Sequence, residues 1–352
     1  MRVVVTGATG NVGTSVLAAL GRDPQVTEIV GLARRVPASL SLPGVRWHQA
    51  DVTVTPLAPL FDGADAIVHL AWAIQPSHDE PAMERVNVLG SRRVFDAAAE
   101  AGVKALVYAS SVGAYSPGPK NREVDESWPV EGIPTSSYSR HKARVERLLD
   151  DLAADGRMRV VRLRPGLIFK AEAASEIRRF FLGPLLPSLL VRPNLIPFVP
   201  DVVGLRFQAV HADDVGEAYR RAVVGDVDGA FNVAAEPTIG PPELASLLRA
   251  RRLRVPAKAL RATTSATWRA HLQPADPGWI DLALGVPSMD TGRARRELGW
   301  EPRKTSLEAL GELLTGLRHG QGGPTPPLDP QAGGPFRAGE FATGIGQKSD
   351  NA

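Results

Sequence analysis

The sequence predicts an α/β protein: a doubly wound parallel sheet followed by a smaller, mostly helical lobe. Three observations carry this. Short apolar runs alternate with amphipathic helical stretches through the first half, as in a parallel sheet covered on both faces. An apolar run, a glycine-rich turn and a helical stretch open the chain. The alternation breaks after Arg164-Pro165-Gly166, and residues 241–316 then carry mainly helical patterns.

In chain order, Val3-Val4-Val5 is the first strand and leads into Thr6–Gly13, TGATGNVG. Gly7 permits a tight turn, Gly10 lets backbone approach a diphosphate, and Gly13 lets the next helix pack closely. That helix then offers unpaired N–H groups and a positive dipole end to an anion. Further strands are expected at Glu28–Ala33, 45–48, 66–70, Ala105–Ala109 and 160–163, with helices at 81–101 and Ser137–Ala154 between them. Residues 180–200 are apolar but interrupted by prolines. A membrane span needs about 20 unbroken apolar residues, so this stretch is expected to be an irregular lid or a substrate-pocket segment, with membrane-surface contact as the alternative. Strands resume at 207–210 and 230–233, around a helix at 213–224. The expected domains are 1–170 with 206–235 for the dinucleotide, and 171–205 with 236–317 as a substrate lobe. Residues 318–352, rich in Gly and Pro, are expected to be a disordered tail.

A formal net charge of +3, from 41 basic and 38 acidic residues, gives no case for nucleic acid or for membrane contact. The chain has no cysteine, which excludes disulfides, thiolate catalysis and cysteine-bound metals. His69 and His211 are expected to be structural, because no paired ligand spacing accompanies them, and no metal is expected. No apolar signal region precedes the first strand, so a cytoplasmic location is expected.

Two features bear on the cofactor. A carboxylate about 20 residues past the glycine loop holds the adenosine ribose of NAD. Here that position is Ala33, followed by Arg34 and Arg35. Two guanidiniums suit the additional phosphate of NADP, which is favoured, with NAD still open. Asp51 lies at the end of the third strand, placed to accept from the adenine amino group. Two further features bear on chemistry. Tyr138 and Lys142 share one helix face, and an ammonium beside a phenol lowers its pKa, suiting Tyr138 for proton exchange with a substrate hydroxyl or carbonyl. Ser110-Ser111 lie just past the fifth strand, within reach of the same substrate oxygen, with Tyr115 a little beyond.

TGATGNVG, Asp51-Val52, His69-Leu70-Ala71, Asn87, Ser110-Ser111, Tyr138 with Lys142 and Arg164-Pro165-Gly166 occur in one order. This order resembles the extended short-chain dehydrogenase/reductase superfamily, the NAD-dependent epimerase/dehydratase group. Downstream, Val210-His211-Ala212-Asp213-Asp214-Val215 and Leu298-Gly299-Trp300-Glu301-Pro302 resemble its C-terminal signatures, so the likeness covers roughly residues 1–317. The resemblance implies a Rossmann fold, Tyr138 as acid/base, Lys142 on the nicotinamide ribose and Ser111 orienting the substrate oxygen. It implies Gly7, Gly10, Asn11 and Val12 at the pyrophosphate, with Gly13 supporting the turn. It further implies Asp51 and Val52 at the adenine, Leu70 and Ala71 on the adenosine side, and Asn87 bracing the strand ends. A homodimer through the helices of the Asn87 and Tyr138 regions is also implied.

The reaction is narrowed by what the chain lacks. The dehydratase-like Asp-Glu pair is replaced by Val112 and Gly113, the Glu of decarboxylating relatives is absent, and there is no catalytic Cys. Two enzymatic readings remain. One is an oxidoreductase acting on a small-molecule carbonyl or alcohol, favoured by the apolar 180–200 stretch and by Arg34 and Arg35. The other is a sugar-nucleotide epimerase with retained NAD. A non-catalytic NADP-sensing regulator is a third reading, against which Ser111, Tyr138 and Lys142 are all intact.

Overall fold

The computed structural model of the chain describes residues 1–37, 44–74, 78–182, 196–273 and 275–331. The first half comprises β1 (Arg2–Thr6), α1 (Asn11–Leu20), β2 (Glu28–Ala33), β3 (Val45–Gln49), α2 (Ala58–Phe61) and β4 (Ala66–His69). It continues with α3 (Glu80–Glu84), a π-helical turn (Arg85–Leu89), α4 (Gly90–Glu100), β5 (Ala105–Ala109), β6 (Glu123–Val124), α5 (Ser137–Ala154) and β7 (Arg159–Pro165). Then follow β8 (Leu167–Phe169), α6 (Ala174–Ile177), β9 (Phe198–Asp201), β10 (Phe207–His211), α7 (Ala212–Val224), β11 (Gly229–Val233) and β12 (Ala235–Ile239). The chain closes with α8 (Pro241–Leu248), β13 (Arg251–Arg254), α9 (Ala257–Arg269), α10 (Gly278–Gly285), β14 (Ser288–Met289), α11 (Gly292–Arg296) and α12 (Ser306–His319).

Seven strands form the main sheet in the order β11-β7-β5-β4-β1-β2-β3, and every neighbouring pair is parallel. The apolar strand runs reflect burial on both faces. Val3 and Val5 enter a core with Val16, Leu20, Val215 and Tyr219, while Val4 enters another with Phe95, Leu106, Val145 and Leu149. Strand order reverses between β1 and β4, so a crevice opens outside their carboxyl ends, where doubly wound sheets bind ligands.

The predicted fold class is what the chain adopts, but its partition differs in detail. Of the 206–235 stretch assigned to the dinucleotide domain, β11 does complete the main sheet. β10 instead pairs with β8 and β12 in a separate three-stranded sheet under α12. Both strands are apolar, and apolarity alone does not say which sheet a strand joins. The 81–101 helix is divided by the π-helical turn. In the stretch read as irregular, β9 forms a parallel ribbon with β13, and residues 183–195 lie outside the described residues. Nor does a structureless tail begin at 318. α12 runs on to His319, and Thr325 and Leu328 are buried. The Thr325 hydroxyl donates to the Thr9 carbonyl (2.7 Å), and Ser175 Oγ to the Gln321 carbonyl (2.7 Å). Side-chain to backbone bonds hold this Gly- and Pro-rich segment, and they leave no periodicity in the sequence. Residues 332–352 lie outside the described residues. Among the described residues no helix is long and apolar enough to cross a membrane.

Candidate functional site

The carboxyl ends of β1, β2, β3 and β4 bring the glycine loop, Arg34 and Arg35, Asp51 and Val52, and Leu70 and Ala71 to one edge of the sheet. Gly7 has φ +69°, and a Cβ there would stand 2.7 Å from the Ala71 nitrogen. A Cβ on Gly13 would stand 2.4 Å from the Gly7 carbonyl oxygen, so the start of α1 presses on the loop. At Gly10 a Cβ would meet only the Gly7 carbonyl, at 3.6 Å, leaving its outer side open. α1 begins without a side-chain cap and without an acidic residue in its first turn. An open glycine cradle below a helix N-terminus with no cap from its own N-cap residue fits a diphosphate.

One contact here was not foreseen. The Glu176 carboxyl on α6 lies by the Asn11 N–H at the start of α1. Burial pushes that carboxyl up to about 7, against the opposing charges of Arg179 and Lys170 and the Asn11 N–H. Lys170 Nζ in turn donates to the Asn11 carbonyl (2.8 Å) and to the hydroxyls of Thr14 (2.7 Å) and Ser15 (3.2 Å). Asn11 Oδ1 is buried without a partner. Val12 packs half-buried against the β1 core.

Around the loop, Arg34 and Arg35 are exposed just past β2, and among the described residues neither guanidinium pairs with a carboxylate. Asp51 Oδ1 accepts from the Thr53 N–H (2.8 Å) and hydroxyl (2.6 Å), which orients it in a turn. Val52 is buried against Gly90 of α4. Leu70 and Ala71 are half-buried past β4, and the Ala71 N–H donates to Thr6 Oγ1 (3.4 Å). Asn87, fully buried in the π-helical turn, accepts from the Ala73 N–H (2.7 Å) and donates to its carbonyl (3.0 Å). Asn87 therefore braces the segment leaving β4. π-Helical turns often mark functional sites.

Ser136 caps α5, accepting from the Ser139 N–H (3.4 Å), and so sets Tyr138 in the helix's first turn. The Tyr138 ring and Ser111 Oγ flank Gly113 together, and the Ser111 hydroxyl acts on the phenol. Gly113 lies flat against the Tyr138 ring, where a Cβ would stand 2.8 Å from Cε1. Ser139 Oγ fixes this contact by donating to the Gly113 carbonyl (2.5 Å) and accepting from the Ile133 N–H (2.6 Å).

The electrostatics of the pair differ from expectation. Burial pushes the Tyr138 phenol up to about 12, with the Ser111 hydroxyl pulling the other way. Lys142 does not lower it, because its ammonium donates to the Ala109 carbonyl (2.6 Å) and the Tyr108 hydroxyl (3.5 Å). The ammonium lies 3.5 Å from the Trp72 ring centroid and 5.8 Å from that of Tyr138. Burial also pulls the Lys142 pKa well below its ordinary value, against the nearby charge of Glu146.

Glu146 is the main polar residue that sequence reasoning missed, although it lies on the Tyr138–Lys142 helix face one turn beyond Lys142. It is buried and accepts from Ser110 Oγ (2.5 Å), Arg164 Nε (2.8 Å) and Nη2 (3.0 Å), and Arg162 Nη1 (3.1 Å). Arg164 Nη1 donates on to the Tyr115 hydroxyl (3.1 Å), which donates to Asn232 (2.6 Å). Tyr115 is thus a buried link in this network, which reaches Ser110 through Arg164 and Glu146. Three rings also went unforeseen. Trp72 and Trp279 lie 6.0 Å and 5.1 Å from the Tyr138 ring, and Phe181 meets Trp279 edge-on at 4.9 Å.

His69 is buried between Thr6 Oγ1 (2.7 Å) and Ser91 Oγ (2.9 Å), and burial and the Lys142 charge hold it neutral, near a pKa of 3. His211 caps α7 and meets Glu312 (3.0 Å). Among the described residues no group of three His, Asp or Glu side chains could hold a metal.

The sequence profile of the NAD dependent epimerase/dehydratase family matches residues 3–234. A 4-hydroxy-2-methyl-3-oxo-4-farnesyl-3,4-dihydroquinoline-1-oxide ketoreductase of Stigmatella aurantiaca is 28% identical over 346 residues, covering 92% of this chain and 98% of its own. An uncharacterized protein of Mycobacterium tuberculosis is 26% identical over 344 residues, covering 93% and 86% respectively. Of a longer uncharacterized protein from that organism, also 26% identical, the chain spans 30% of the length. The UDP-glucose 4-epimerase of Thermus thermophilus, solved with NAD, superposes with a TM-score of 0.65 at 20% identity, over 90% of this chain and 99% of its own. That likeness speaks for the fold.

Proposed function

The chain belongs to the NAD-dependent epimerase/dehydratase family, and from that premise we propose that it is an NAD(P)-dependent oxidoreductase acting on a hydroxyl or carbonyl of a low-polarity substrate. The observation that carries this reading is the juxtaposition of Ser111 and Tyr138 across Gly113, with Lys142 one turn on. Ala71 touches Gly7, and its neighbour Trp72 touches Lys142, which ties the pair to the glycine loop.

In this reading Gly7, Gly10, Asn11 and Val12, supported by Gly13, hold the diphosphate of the cofactor. Asp51, Val52, Leu70 and Ala71 take the adenosine side, and Lys142 holds the nicotinamide ribose. The nicotinamide, when bound, supplies hydride transfer. Ser111 orients the substrate oxygen, and Tyr138 exchanges the proton with it. A phenol held near 12 is protonated at neutral pH, which equips Tyr138 to donate a proton to a carbonyl oxygen, the reducing direction. Val112 and Gly113 supply no acid/base pair for eliminating water. The rings of Trp72, Trp279 and Phe181 beside Tyr138 favour a substrate of low polarity. The Stigmatella relative's name describes such a compound, a farnesylated dihydroquinoline. Arg34 and Arg35, with Ala33 in place of a carboxylate, favour NADP. The smaller sheet and the helices that follow it form the substrate lobe.

A fluorescence titration with NADPH and NADH, followed by a substrate panel scored for net cofactor oxidation, tests the reading. Tighter binding of NADPH and net oxidation with an apolar carbonyl compound are expected. Product formed without net change in cofactor would replace the oxidoreductase with an epimerase.

A further inference from the structure

Net charge is close to balanced across the chain, but β9 and β13 gather charge and apolar surface in one place. In their parallel register Arg251 lies beside Phe198, Arg252 beside Val199, Leu253 beside Pro200 and Arg254 beside Asp201. Side chains alternate between the two faces of a strand, so Phe198, Pro200, Arg251 and Leu253 share one face. Val199, on the opposite face, is buried, so the Phe198 face points away from the protein. Phe198 is 51% exposed and Leu253 54%, and Val203, two residues past β9, is 94% exposed. All four residues of β13 are exposed. Among the described residues Arg252 has one ionic partner, Asp201 at 3.8 Å, and Arg251 and Arg254 have none.

Arginines on an edge strand keep other strands from pairing with it, which accounts for the arginines but not for exposed Phe198 and Leu253 on the flat face. An apolar face that carries Arg251, with Arg252 and Arg254 exposed on the other side of the same edge strand, is the pattern of a surface that enters the headgroup region of a bilayer. The apolar side chains bury there and the cations meet lipid phosphate. The same arginines disfavour a second copy of the ribbon, since edge-to-edge pairing would bring like charges together.

We propose that the outward face of the β9–β13 ribbon is a docking surface for anionic membrane, holding the protein reversibly at the bilayer surface. This does not depend on the reading of the Tyr138 site. It is tested by co-sedimentation of the full chain with vesicles of phosphatidylcholine, alone or mixed with phosphatidylglycerol. Binding is expected to the mixed vesicles and to weaken with salt. Each arginine is expected to contribute about fivefold. Replacing Arg251, Arg252 and Arg254 together by Gln should therefore weaken binding by about 100-fold, and Leu253→Asp should also reduce it. All four positions are exposed, and an unchanged melting temperature verifies the fold of each variant. No binding, equal binding to neutral vesicles, or full binding by the triple variant would overturn the proposal. So would self-association that Leu253→Asp abolishes without vesicle binding, or retention on an oligonucleotide in place of vesicles.

Discussion

Replacing Gly113 by Ala perturbs the candidate site through one atom. Gly113 has no left-handed backbone requirement, so a methyl group there adds no backbone strain. The new Cβ would stand 2.8 Å from Tyr138 Cε1, 3.2 Å from Cδ1 and 3.3 Å from Ser111 Oγ. Carbon atoms pack at about 3.5–4.0 Å, so the ring must retreat by roughly 0.7–1.2 Å. Ser139 ties Gly113 to α5 and prevents the loop from yielding instead. A displacement of about 1 Å at a reacting group costs on the order of 100-fold in rate, while overpacking costs about 1–3 kcal/mol of stability. Gly113→Ala should therefore lower kcat by about 100-fold and leave the dissociation constant for NADPH unchanged, because the atoms a Cβ at Gly113 meets first belong to Tyr138 and Ser111 and not to the glycine loop. The assay is steady-state NADPH oxidation with the best substrate of the panel, beside a fluorescence titration. Unchanged kcat, or cofactor binding lost in parallel, would refute the reasoning.

Replacing Arg34 and Arg35 together by Ala should weaken NADPH binding by about 10–100-fold, from the loss of charged hydrogen bonds, and leave NADH binding unchanged. Equal losses for both cofactors would contradict the assigned role. Glu176→Gln removes the negative charge beside the Asn11 N–H, so titration should show tighter dinucleotide binding, and unchanged affinity would place the diphosphate elsewhere. The wild-type Glu176 carboxyl lies near 7 in the fold, above its unfolded value, so its favourable contribution is present at acid pH and lost as pH rises toward 7. Urea melts of wild type and Glu176→Gln should diverge in that window. Glu146 has the opposite sign. Burial pushes its pKa up, but the bonds and charge of Arg164 outweigh this and hold it below the ordinary carboxylate value. Its contribution is present at neutral pH and lost as pH falls through the lowered pKa. Glu146→Gln should cost about 3 kcal/mol at neutral pH by urea melting, with the gap closing in acid.

Residues close in sequence were the legible ones. The strand runs, the glycine loop and the extent of α5 follow from composition and period, because burial on both faces writes itself into consecutive residues. Ser111 was expected within reach of the same substrate oxygen as Tyr138, and the two side chains flank Gly113 together. What stayed hidden depends on distant partners. β10 and β11 carry similar apolar runs, and only pairing sends β10 to the smaller sheet. Glu176 reaches Asn11 from far along the chain, as Thr325 reaches Thr9, and neither contact has a local pattern. The Lys142 ammonium was expected beside the phenol from helical spacing, but spacing fixes a face and not a rotamer, and the Ala109 carbonyl claims it. Glu146 was the avoidable omission, since the same spacing that found Lys142 continues to it.

The central claim is proton exchange by the Tyr138 hydroxyl at a site built for a dinucleotide. Tyr138→Phe removes that hydroxyl and keeps the ring against Gly113, Trp72 and Trp279. Measured on one preparation, turnover should fall by about 10²–10⁴-fold while NADPH binding stays as in the wild type. Turnover retained by this variant would contradict the account.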